Sequence, residues 1–132
     1  MEYIPELLAA FVMPNSSGID SILGETGRML AKNGKDSALN GYSDNNATKV
    51  WDMVSALYTV LANKNFTYCL PPASFEYNGQ KIRLTNDVLN NRVATCLDAT
   101  ILFASALEQM GLYPVLVVIK GHAFVRVWLK EI

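Results

Sequence analysis

Apolar residues recur along this chain with two periods, and the change from one to the other marks out its elements. Ile4, Leu7, Leu8 and Phe11 lie three and four apart, which predicts a short helix closed by Pro14. Ser17-Gly18-Ile19-Asp20 has the form of a capping box. Ile19, Ile22, Leu23, Met29 and Leu30 then continue as the stripe of a second helix, ended by Asn33-Gly34. Residues 35–46 hold Gly, Asn, Asp and Ser with no periodic apolar set, and are expected to form a surface loop, the most flexible or partner-facing part of the chain. From about Ala47 to Asn63, the residues Val50, Met53, Val54, Leu57, Val60 and Leu61 share one side of a third helix. Phe66 to Leu70 alternates and is β-rich until Pro71-Pro72 ends it. Tyr77-Asn78-Gly79-Gln80 signals a turn, and Thr85 caps a short helical turn.

The helical period returns most strongly from Cys96 to about Met110. Leu97, Ala99, Ile101, Leu102, Phe103, Ala104, Ala106, Leu107 and Met110 leave only a narrow polar seam of Asp98, Ser105, Glu108 and Gln109, so this helix is expected to be central and covered on most sides. Gly111 supplies its C-cap and Pro114 prevents its continuation. Val115 to Ile119 then reads as a buried strand, Lys120-Gly121 as a tight turn, and His122 to Lys130 as a second strand antiparallel to the first. Helices, a central helix and a hairpin make an α+β domain with no internal repeat, covering residues 1–132.

Bulk properties narrow the function classes. A chain of 132 residues that is 51% hydrophobic and 17% charged can bury a core without disulfides or metal. The net charge of −1 comes with scattered basic residues, Lys81 and Arg83 being the nearest to a cluster, so direct nucleic-acid binding is not expected. No apolar run approaches a membrane span, and Leu7 to Met13 lacks the basic lead of a secretory signal. Two cysteines, Cys69 and Cys96, fit a reducing, cytoplasmic setting better than a disulfide framework.

Chemistry concentrates at the start of the central helix. Thr95 is a suitable N-cap and Asp98, three residues on, completes a capping box, so Cys96 takes the first helical position. Unpaired N–H groups and the positive end of the helix dipole favour an anion there, and a thiolate is an anion. The one histidine of the chain, His122, follows 26 residues later at a strand start, and a thiol beside an imidazole is the minimum for thiol acyl chemistry. Each residue also has an ordinary reading: Cys96 as a small core residue, His122 as a polar hairpin residue, Asp98 as the cap of its own helix. Strand alternation sets His122, Phe124, Arg126 and Trp128 on one face and Ala123, Val125, Val127 and Leu129 on the other. A central helix lying on the Val face would have His122 pointing away from it, unless Gly121 makes a bulge or the thiol lies beyond the strand end. A metal site would need Cys69 and a carboxylate such as Asp98 beside Cys96 and His122, and no CxxC or HxxxH spacing supports one; no cofactor is expected.

Cys96-Leu97-Asp98, the apolar helix ending Leu107-Glu108-Gln109-Met110-Gly111-Leu112-Tyr113-Pro114, and Gly121-His122-Ala123-Phe124-Val125-Arg126-Val127-Trp128 resemble the core of the transglutaminase-like (papain-like cysteine) superfamily. Ala10 to Asn15, Pro71 to Glu76 and Gly79 to Leu84 are similar to the transglutaminase-like module of large bacterial proteins that also carry a DNA helicase. The resemblance implies a papain-like core, with a central helix packed on a small antiparallel sheet and extra helices before it. It implies Cys96 as nucleophile and His122 as general base on a protein or peptide substrate, giving a cysteine-protease-like hydrolase or a transferase, with Gln80 as an oxyanion donor or else a solvated turn residue. It also implies an Asp or Asn on a strand after the His strand. Ile132 comes only ten residues past His122, so the chain is expected to be a piece of a larger multidomain protein, helicase domains included, or to orient its imidazole otherwise. A non-catalytic interaction module of the same fold is the alternative.

Overall fold

The computed structural model describes residues 2–3, 16–68, 85–119 and 122–130. In chain order its elements are β1 (Glu2–Tyr3), α1 (Ser17–Lys32), α2 (Ala47–Ala62), β2 (Thr67–Tyr68), α3 (Thr85–Asn91), β3 (Val93–Ala94), α4 (Cys96–Gln109), β4 (Pro114–Ile119) and β5 (His122–Val127). This is an α+β arrangement. The expected helix around Leu7, the Pro71-Pro72 break, the Tyr77 to Gln80 turn and the Lys120-Gly121 turn lie outside the described residues.

The helical stripes do what their spacing predicts. Ile19, Ile22 and Leu30 of α1, Val50, Met53 and Leu57 of α2, and Leu102, Leu107 and Met110 at α4 are buried together in one core. Asn46 caps α2, its Oδ1 accepting the N–H groups of Thr48 and Lys49 at 2.9 and 3.4 Å. α1 departs from expectation at its start: Ser16, not Ser17, is the N-cap, and no side-chain cap bond forms. Asp20 thus falls one position too late for a capping box. The Gly18 N–H is instead satisfied by Asn86 Oδ1 of α3 at 3.1 Å, an approach so close that a Cβ at Gly18 would meet that oxygen at 2.4 Å.

β4 is the middle strand of an antiparallel sheet ordered β1-β4-β5, with Glu2 opposite Val118 and Ile119 opposite His122. β2 and β3 form a separate parallel pair. Arg92 makes that pair possible. It holds a left-handed φ of 57°, its carbonyl accepts Thr67 N–H at 2.6 Å, and its guanidinium donates to Leu89 O and Lys64 O at 3.1 and 2.6 Å. The clasp fixes β3, and β3 leads directly into Thr95 and Cys96.

The segment between α1 and α2 is anchored rather than loose, contrary to its composition. Tyr42 Oη donates to Trp128 O at 2.7 Å and accepts Tyr113 N–H at 3.2 Å. Gly41, at φ +60°, packs so closely on Gly111 that a Cβ would stand 2.6 Å from the Gly111 oxygen. Lys49 Nζ pairs with Asp36 Oδ2 at 2.9 Å, and Lys35 Nζ with Asp52 Oδ1 at 3.3 Å.

Candidate active site

Thr95 and Asp98 place the thiol. Asp98 N–H donates to Thr95 Oγ1 at 3.1 Å and Thr95 N–H donates to Asp98 Oδ2 at 3.0 Å, so the capping box forms in full and Cys96 opens α4. Thr100 Oγ1 donates to Cys96 O at 2.8 Å and tightens the same turn. Cys96 lies only 8% exposed in a small apolar cluster with Leu97, Ile101 and Ala123, apart from the main helical core. Asp98 is 1% exposed, and its carboxylate serves the cap, as the ordinary reading of that residue had it.

His122 opens β5 and is exposed. Cys96 Sγ stands 3.5 Å from His122 Nδ1. The sulfur also accepts Ala123 N–H at 3.2 Å and lies 3.0 Å from Ala123 O as a donor. The alternation problem is thereby resolved. α4 does pack on the Ala123, Val125 and Val127 side of β5, but its first residue lies at the strand's edge, where the sulfur touches the backbone between the two faces and the ring of the preceding residue comes within reach.

A neutral thiol has one proton and, here, two acceptors, Ala123 O and Nδ1. Donated to the carbonyl, the proton leaves the sulfur at rest. Donated to the imidazole, it leaves a thiolate that Ala123 N–H and the positive end of α4 stabilise, and that Ala123 O opposes. The backbone groups of Ala123 therefore set the balance between the two states. Ala123 was not legible as a site residue, because main-chain donors carry no signature in residue type.

No family model, curated protein or solved structure matches the chain. Among the described residues no three His, Cys, Asp or Glu side chains gather as metal ligands, and no helix is long and apolar enough to cross a membrane. Gln80 and Cys69 lie outside the described residues. Among those described, none is hydrogen-bonded to His122 Nε2, and the Phe124 ring lies beside the imidazole at a centroid distance of 5.9 Å.

Proposed function

We propose that the chain is a thiol-dependent amide or acyl hydrolase or transferase of transglutaminase-like, papain-like kind, with Cys96 as nucleophile and His122 as general base and then general acid. The supporting observation is the 3.5 Å approach of Sγ to Nδ1, between residues that fold onto the starts of two different elements. Nδ1 takes the thiol proton as Sγ bonds to the substrate carbonyl carbon. The imidazolium returns that proton to the leaving amine as the C–N bond breaks, and water or an amine then displaces the thioester and restores the thiol. The N–H of Cys96, in the first helical turn and so without an intrahelical acceptor, suits the developing oxyanion. His122 is on the exposed side of the pair, which gives a substrate its approach.

The test uses a Cys69→Ala background, so that one thiol reports. Iodoacetamide alkylation of Cys96 at neutral pH is expected to slow by at least about tenfold in His122→Ala. An alkylation rate unchanged by His122→Ala contradicts the proposal.

A second reading draws on the burial of the sulfur and its hold on both backbone groups of Ala123. Here the domain is a non-catalytic interaction module, placed within a bacterial helicase-type protein. Cys96→Ser in the full-length protein then leaves biological activity intact, and loss of activity with stability preserved favours the enzyme.

A further inference from the structure

The sulfur of Cys96 occupies a rung of the sheet edge. Ile119 and His122 flank a two-residue connection, so Ile119/His122, Val117/Phe124 and Val115/Arg126 are the pairs that exchange ladder hydrogen bonds. In the alternating pairs, Val118/Ala123, Leu116/Val125 and Pro114/Val127, the β5 backbone groups point away from β4. Four contacts bear this out. Ala123 N–H and O turn outward onto Cys96 Sγ, while Trp128 O, one step past Val127, turns inward to the Tyr42 hydroxyl that also takes Tyr113 N–H. Val125 and Val127 thus present N–H and C=O groups on the same outer side as the sulfur, at steps of roughly 6.8 Å. No described residue is hydrogen-bonded to them there.

Resting on the nucleophile reading above, we propose that the substrate is a polypeptide in extended form, docked as an additional strand along the outer edge of β5. Its main chain pairs with Val125 and Val127. At the next step Ala123 is already engaged by the sulfur, so the arriving residue brings its carbonyl carbon to Sγ instead of completing a rung. Register along the edge selects the bond that is attacked. Phe124, Arg126 and the half-exposed Trp128 share the face of His122 and offer aromatic surface with one cation, which suits apolar or acidic substrate side chains on that face.

The test compares three reagents on the full chain carrying Cys69→Ala: iodoacetamide, acetyl-Thr-Val-Thr-Val chloromethyl ketone, and the same ketone N-methylated at the alternate amides that would donate to β5. The unmodified ketone is expected to alkylate Cys96 at least about tenfold faster than its N-methyl analogue. In Cys96→Ser, the corresponding peptide amide is expected to slow hydrogen exchange at Val125 and Val127 N–H by at least about tenfold, with Phe124 and Arg126 unchanged. Equal ketone rates, with iodoacetamide still reacting, overturn the docking and leave the nucleophile standing. Inert Cys96 with both amides protected by peptide overturns the nucleophile and leaves the docking. Protection of both amides before peptide is added overturns the docking: if it depends on protein concentration, a second copy holds the edge, and if not, another segment of the protein does.

Discussion

The two ends of α4 solve the same problem in opposite ways. Its C-terminus is closed by backbone: Leu112 N–H donates to Leu107 O at 3.1 Å and Gly111 N–H to Glu108 O at 3.0 Å, with Gly111 at φ +86°. Gly41 then lies against Gly111, and the Tyr42 hydroxyl bolts the loop to the residues just before β4 and just after β5. The N-terminus is capped by side chains alone. Thr95 and Asp98 satisfy each other and leave Cys96 to meet the edge of β5 and an exposed imidazole. One end is built to hold still, and the other keeps a proton with two places to go.

Substitutions can break that contrast, beginning with the largest effect. Leu107 is fully buried at the closed end, and Leu107→Ala is expected to lower unfolding free energy by about 2–5 kcal/mol in urea titration. Cys96 alkylation in the folded fraction should stay unchanged. Gly41→Ala strains a left-handed residue and drives a Cβ into the Gly111 carbonyl, for a loss of about 2 kcal/mol or more, again without effect on the thiol. Thr95→Ala removes the acceptor of Asp98 N–H and should cost about 1 kcal/mol. Unlike the first two, it should alter the Cys96 alkylation rate, because the first turn of α4 aims the sulfur. A thiol indifferent to Thr95→Ala but sensitive to Gly41→Ala would reverse the roles assigned to the two ends.

The smallest effect concerns the loop alone. Ala38 N–H, donating to Asp36, and then the Lys49 ammonium hold the Asp36 carboxyl below its ordinary value of 3.8. A lowered folded-state value means a contribution that is present above about pH 4 and is lost as pH falls through the folded value. Urea midpoints taken between about pH 5 and about pH 3 should therefore fall slightly less in Asp36→Asn than in the parent.

Much of this was legible along the chain, wherever neighbours in sequence decide the outcome. The α4 capping box, the helix from about Ala47 and the antiparallel pairing of the last two strands follow from spacings of two to four residues. Loop 35–46 lies at the surface as its composition implies, but its anchoring was not legible because the anchors are remote: Tyr42 reaches Trp128, and Gly41 needs Gly111. The expected Ser17 cap failed for the same reason, since Asn86 supplies the acceptor from another helix. β3 and the left-handed Arg92 carried no readable signal, their pairing being with Thr67 in a distant segment.

The sequence by itself determined that a cysteine opens a helix apolar on nearly all sides and that the one histidine opens a strand, because capping and periodicity are local chemistry. That the two meet, and that they meet through the backbone of Ala123, was decided only by tertiary structure. Alternation fixes which face a side chain takes; it does not say where along the strand a helix end comes to rest. That depends on how α4 packs against α1, α2 and the hairpin at once, and it is this packing that carries the Cys96 sulfur to the edge of β5.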